Sequence, residues 1–353
     1  MNKVVMCTGY IGSGSSAVTN LLSEVKNYNN ANGEYEFVLM HAPDGIFDLE
    51  DKLLTGNNAL RSDEAIHRFL QYMNDLYSKK HYWVAGYNKI ISPQFMEYVN
   101  DFVREIGTLE LNDKWNYWYY TENPNRIMML KKMWNKIIKT VSFNKIKKTT
   151  PSLYKEVYLA YPTEKEFYTA AKRFLEKIFI DMGLAESNLV LDQFVLPHNL
   201  FRVHNYFDGK EYVIVVKRDP RDVFLTNKYY WIPQNTPTNF PIDVEQFCIM
   251  YRKMKQLEKQ YEYRNIIEIE FEDLIYKYDV TVKRIFEFLD INPADHVRKR
   301  TSFVPEISIN NTQIFKTSEA YLKEAEYIYQ HLQEFCYDFP DNIELNRVHS
   351  EIF

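Results

Sequence analysis

Short apolar runs rich in β-branched residues recur along the chain and alternate with stretches whose apolar positions fall three and four apart. Lys3–Cys7, Tyr82–Tyr87, Leu189–Phe194, Tyr212–Lys217 and Ile266–Glu270 read as strands, and Glu36–Met40 adds a sixth candidate. Ser15–Lys26, Asp63–Ser78, Glu164–Met182, Pro220–Tyr230, Val244–Tyr261 and Val280–Leu289 carry the helical period. This alternation predicts an α/β fold, a parallel β-sheet flanked by helices on both faces. Ligands of such sheets bind beyond the carboxyl ends of the strands, so the loops leaving the strands are where chemistry is expected. The chain reads as one domain over residues 1–353, with a largely helical insertion at 95–185 and no internal repeat.

One stretch departs from the pattern. From Asn123 to Lys155 there are nine Lys or Arg residues and no Asp or Glu. Ile127, Leu130, Trp134, Ile137 and Val141 fall on one side of a helix there, with Lys131, Lys132, Lys136 and Lys139 largely on the other. Immediately before it stands WNYWYY, Trp115 to Tyr120. Two readings stay open: a helix packed on the domain with a solvated basic face, or an acceptor-side lid facing an anionic glycan or a membrane surface.

Composition narrows the function classes. Of 353 residues, 46% are apolar and 26% charged, as in a globular protein with a sizeable core. A net charge of −5 excludes a generally basic nucleic-acid binder. Cys7, Cys248 and Cys336 lack zinc-type spacing and suit a reducing compartment. The opening apolar run breaks at Thr8-Gly9, so no signal peptide is expected, and no stretch is long enough to span a bilayer. The expected location is cytoplasmic, with peripheral membrane contact left open and the oligomeric state unreadable.

The first candidate strand runs into GYIGSGSSAVTNLL, Gly9 to Leu22. Gly12 and Gly14 suit a loop whose main-chain N–H groups approach an anion, and Ser13, Ser15 and Ser16 add hydroxyl donors. The helix that follows, from Ser15 through Ala17, points its N-terminal dipole at the same place. Against the nucleotide-triphosphatase pattern GxxxxGK[ST], Gly9 and Gly14 fit, but Ser15 stands where the lysine is required.

The second candidate site follows the Tyr212–Lys217 strand. In RDPRDVFLT, Arg218 to Thr226, Asp219 is suited to cap a helix, Pro220 to open it and Asp222 to complete a capping box. Arg218 sits at the strand end, where a guanidinium can fork onto phosphate oxygens or pair with a neighbouring carboxylate. Thr226 falls on the same side as Asp222 and can offer its hydroxyl to the same anion.

Together these segments resemble the sulfotransferase superfamily. Ser13–Leu22 is similar to the loop that grips the 5′-phosphosulfate of 3′-phosphoadenosine 5′-phosphosulfate, except that Gly12 stands in place of its leading basic residue. Arg218–Thr226 is similar throughout to the segment that grips the 3′-phosphate, including the arginine-to-hydroxyl interval of eight. Ile266–Ile291 resembles a strand, E-D-L turn and closing helix of the family. SINNTQIFK, Ser308 to Lys316, resembles its C-terminal cofactor loop and places Lys316 near the cofactor. The resemblance leaves roughly residues 45–185 uncovered.

The resemblance, nearest to glycan-type sulfotransferases, implies a P-loop-like fold, transfer of sulfonate from 3′-phosphoadenosine 5′-phosphosulfate to a saccharide hydroxyl, and no requirement for metal. Glu34, about twenty residues past Gly14, takes the place of the catalytic base, with Glu36 and His41 in support. The basic group missing at Gly12 is expected from Lys89, with Lys217 and Lys316 as alternatives. LDQFVLPHNLFR, Leu191 to Arg202, takes the place of a substrate loop, so that Asp192, Gln193 and His198 contact the acceptor. A P-loop kinase-like phosphotransferase and a non-catalytic nucleotide- or glycan-binding protein are the competing readings.

Overall fold

The computed structural model describes residues 2–10, 12–30, 35–80, 84–113, 124–143, 155–235, 240–259, 261 and 263–340. Five strands form one parallel sheet: β1 (Val4–Thr8), β2 (Tyr28–Asn30), β5 (Asn188–Asp192), β6 (Glu211–Lys217) and β7 (Ile266–Glu270), in the order β2-β5-β1-β6-β7. A separate antiparallel pair, β3 (Leu109–Asp113) with β4 (Lys155–Leu159), lies outside it.

The period of two along each strand sends alternate residues to opposite faces. Val4 and Met6 join one core with Leu189, Leu191, Val213 and Val215, while Val5 and Cys7 join another with Val190, Ile214 and Val216. The first core is covered by Ala59–Tyr77, Phe95–Glu105 and Glu164–Asp181, the second by Ser15–Ser23 and Tyr278–Leu289. Helices therefore cover both faces. Phe102 and Phe174 stack at 5.4 Å within the first core, so both ends of the 95–185 region contribute to the domain's interior.

The chain leaves β1 toward β2 on one side and leaves β6 toward β7 on the other. The strand order thus reverses between β1 and β6, which is where ligand crevices open in such sheets. The loop at Gly9–Ser16 and the Lys217–Arg218 turn meet at that point.

Several local expectations give way. Of Tyr82–Tyr87, residues 82–83 lie outside the described residues, and Tyr87 opens a short helix, Tyr87–Ile90, rather than ending a strand. Glu36–Met40 reduces to a single parallel bridge between Glu36 and Asp192. The edge position goes instead to Tyr28–Asn30, an Asn-rich run without β-branched residues, because it can register against Asn188–Val190. Ser15–Lys26 stops at Ser23, and Val244–Tyr261 at Leu257. Pro220–Tyr230 divides into an α-helix, Pro220–Thr226, and a π-helical turn, Asn227–Trp231. In the helix Pro124–Val141, Leu130, Trp134, Ile137 and Val141 are all exposed.

Candidate functional site

The β1 loop is shaped by close packing. A Cβ at Gly9 would sit 1.9 Å from Ser13 Oγ and 2.5 Å from the Val216 carbonyl, so the loop passes β6 at a distance only glycine allows. Gly14 is the N-cap residue of Ser15–Ser23, with φ at 85°, and a Cβ there would meet the Phe271 ring at 2.6 Å. Among the described residues no side chain caps this helix, so its first N–H groups are free of side-chain acceptors. Ser13 Oγ is buried and has no partner among the described residues, whereas Ser16 is exposed and Ala17 buried.

Arg218 is 3% exposed and reaches back from β6 to this loop. Its Nη1 donates to the Gly12 carbonyl at 2.8 Å, and its Nη2 donates to Thr226 Oγ1 at 3.2 Å and to the Asn311 carbonyl at 2.6 Å. The guanidinium lies over the Phe271 ring at 5.2 Å, and Nε has no hydrogen-bond partner among the described residues. The two sequence segments are thus in direct contact.

Carboxylates organise the rest of this flank. Asp219 caps its helix by accepting from Arg221 N at 2.8 Å. The capping box does not close through Asp222: the Asp219 N–H donates to Glu272 Oε1 at 3.0 Å. Asp222 instead accepts from the backbone N–H groups of Gln313 and Ile314, each at 2.7 Å. It therefore anchors the C-terminal loop from which Asn311 meets Arg218. Burial raises the Asp222 carboxyl above the usual range and Asp219 adds to the push, while Arg218 and the two N–H donors oppose it. Lys316, on the same loop, is exposed.

The other flank of β1 has a different chemistry. Gln193, with φ at 55°, donates from Nε2 to Ser15 Oγ at 3.0 Å, and its carbonyl bonds His41 Nε2 at 2.8 Å. Asp192 is buried beside Ser15, and its Oδ1 has no hydrogen-bond partner among the described residues. Burial raises its carboxyl to about 6, against the Ser15 and backbone hydrogen bonds that lower it. Glu36 bridges Asp192 in parallel register, and burial together with that neighbouring charge raises Glu36 to about 7. Burial lowers His41 to about 4, so it is neutral at physiological pH. His198 is also lowered by burial.

Two clefts adjoin these flanks. One, of about 700 Å³, is lined by Lys217, Arg218, Arg252, Lys255 and Lys277, with Glu258 and Glu270 among its acids. Another, of about 800 Å³, carries His198, Asn199 and Asp51 beside Met250, Met254 and Leu257. Glu34 lies outside the described residues. Lys89 is exposed on Tyr87–Ile90, and no hydrogen bond or ion pair joins it to the β1 loop among the described residues. Lys217 lines the basic cleft and pairs with Glu268.

The structure therefore gathers Gly12 to Ser16 with Arg218 and Thr226, and separately gathers Glu36, His41, Asp192 and Gln193 around Ser15. Sequence reasoning missed Asn311 and Glu272. Asn311 acts through its carbonyl, which no side-chain pattern reveals, whereas the E-D-L turn was visible and its contact with Asp219 was not. Among the described residues no group of three His, Cys, Asp or Glu side chains is placed to hold a metal ion.

No protein-family profile and no curated protein matches the chain. Among solved structures, it is similar to the sulfotransferase domain of the Synechococcus PCC 7002 olefin synthase, with 10% identity, 96% of this chain and 98% of that one covered, and a TM-score of 0.39. A sulfotransferase of Mycobacterium tuberculosis H37Rv matches at 12% identity, 94% and 76% coverage and a TM-score of 0.37. The sulfotransferase domain of the curacin biosynthetic pathway matches at 11% identity, 96% and 99% coverage and a TM-score of 0.37. At these scores the likeness assigns neither an activity nor a residue to this chain.

Proposed function

We propose that the protein transfers a sulfonate group from 3′-phosphoadenosine 5′-phosphosulfate to a hydroxyl acceptor by direct in-line displacement. The observation that carries this reading is the bond from Arg218 to the Gly12 carbonyl, which joins the two anion-binding segments at the reversal of strand order. The residues fit a donor with two anionic ends: an uncapped helix start and the unpartnered Ser13 hydroxyl on one side, the unpartnered Arg218 Nε on the other. When bound, the donor supplies an activated sulfuryl group whose leaving group is a phosphate.

The chain's own residues supply binding, orientation and proton transfer. The N–H groups of Gly14, Ser15 and Ser16 hold the 5′ anion, and Arg218 holds the 3′-phosphate while fixing the β1 loop. Thr226 orients the guanidinium. Glu36 accepts the proton of the attacking hydroxyl, with the adjacent Asp192 tuning it, because a base raised to about 7 is both available and basic near neutrality. Lys217, on the basic cleft, replaces Lys89 as the cation beside the leaving phosphate. A saccharide hydroxyl is the proposed acceptor, supported by the cleft that sets Asp51, Asn199 and His198 beside an apolar wall.

Thermal-shift measurements with adenosine 3′,5′-bisphosphate in chelator, against ATP with magnesium, test the donor. Stabilisation by the bisphosphate alone is expected; stabilisation by ATP alone would replace sulfonate transfer with phosphotransfer. Incubation with donor and a saccharide panel, followed by mass spectrometry for the gain of one sulfonate, tests the acceptor.

A further inference from the structure

The helix Pro124–Val141 has an apolar stripe that nothing in the described structure covers. Met129, Leu130, Met133, Trp134, Ile137 and Val141 are each between 48% and 74% exposed. Their spacing at 129, 130, 133, 134, 137 and 141 places them on one half of the helix surface. Lys136 and Lys139, both exposed, fall on the opposite half. Helices of this length covered by their own domain bury such a stripe, as Glu164–Asp181 buries Phe167, Phe174 and Ile178. A helix that leaves one exposed carries an interaction surface.

Charge identifies the partner. Asn123–Lys155 holds nine Lys or Arg residues and no acid in a chain whose net charge is −5, so the remainder of the chain is strongly acidic by comparison. A basic amphipathic helix with Trp and Met on its apolar half matches an anionic bilayer surface, where apolar side chains enter the acyl boundary and lysines meet the headgroups. Pairing two copies through the stripe would bring like-charged segments together with no acid within either to offset them. We propose that Pro124–Val141 docks the protein, in the interface plane, on a membrane rich in anionic lipids.

The inference is independent of the sulfonate-transfer reading, since vesicle binding is measured with no nucleotide present. The full chain is mixed with vesicles of phosphatidylcholine alone, or with a quarter phosphatidylglycerol, and bound protein is measured by flotation. Binding to the anionic vesicles is expected, at least about tenfold stronger than to neutral ones and weakened by salt. A Trp134→Glu/Ile137→Glu variant should lose it, and Lys136→Glu/Lys139→Glu should weaken it by about tenfold or more. Circular dichroism and unfolding midpoints equal to the parent's establish that both variants are folded. No binding to anionic vesicles, or binding that the Trp134→Glu/Ile137→Glu variant retains, overturns the proposal. So does self-association in sedimentation that this variant abolishes, which would make a second copy the occupant.

Discussion

The two flanks of β1 both raise their buried carboxyls but give them different partners. Toward β6, Asp219, Asp222 and Glu272 are spent on backbone N–H groups and on the surroundings of Arg218, and their work is to hold segments in place. Toward β5, Glu36 and Asp192 are joined by a single backbone bridge, and among the described residues no cation offsets the cost of burial, so both are raised. A carboxylate that accepts several N–H bonds is a structural anchor. Burial and a like charge raise Asp222 and Glu272 as they raise Glu36, but among the described residues no hydrogen bond occupies the Glu36 carboxyl, which leaves that group suited to move a proton.

The most disruptive way to break this contrast is at Arg218. Arg218→Ala removes the bonds to Gly12, Thr226 and Asn311 and leaves Asp222 and Glu272 without their cation. Loss of about 3–5 kcal/mol of stability is expected in urea unfolding, the range for breaking a buried charge cluster. A loss within experimental error would show that the guanidinium does not tie these segments together.

Glu36→Gln tests the other flank. Turnover should fall about 10²–10⁴-fold, the usual contribution of a general base, with the affinity for adenosine 3′,5′-bisphosphate unchanged in titration calorimetry. Retained turnover would move the base elsewhere, with Glu34 first in line.

The pH profile sharpens the same point. Because Glu36 is raised to about 7, its ionised form accumulates as pH rises through that value, and turnover should climb there and lose that limb in Glu36→Gln. The linked stability runs the other way. The folded state binds the proton more tightly than the unfolded one, so stability linked to protonated Glu36 is complete below about 4.5 and is lost as pH rises toward 7. Above pH 7, Glu36→Gln should therefore unfold at equal or higher urea than the parent. Asp222→Asn should not: it keeps only one good acceptor for two N–H donors, and a loss of about 1–3 kcal/mol is expected.

The smallest effect concerns the loop between the flanks. Gly14→Ala forces a left-handed backbone on alanine, which costs about 1–2 kcal/mol, before any shift of the Phe271 ring. It should weaken bisphosphate binding along with stability, whereas the exposed Lys316→Ala should leave stability within about 0.5 kcal/mol. Equal effects of the two substitutions would show that the loop's shape is not what binds the anion.

Much of this was legible in order along the chain. β-branched runs at Lys3–Cys7, Tyr212–Lys217 and Ile266–Glu270 predict strands found within a residue of those places; β1 and most of β6 are buried on both faces and so are largely apolar, whereas the edge strand β7 interleaves Ile with Glu. The glycine loop and the Asp219-Pro220 helix start were legible for a similar reason, being local requirements of backbone conformation. Tyr28–Asn30 was not, because its strand state comes from its neighbour β5 and not from its own side chains. Tyr82–Tyr87 shows the converse: local propensity favours a strand, and the described part of the segment opens a helix instead.

The sequence by itself determined an α/β sheet, the two turns suited to anions and an amphipathic basic helix, because period, turn chemistry and charge are properties of neighbouring residues. Only the tertiary structure decided that Arg218 closes on Gly12 and Asn311, that Asp222 anchors the Gln313–Ile314 backbone, that Glu36 lies beside Asp192, and that, among the described residues, nothing covers the apolar side of the basic helix. Each of those depends on which distant segments share a buried volume, where desolvation sets the charge state of a group and the choice of its partners.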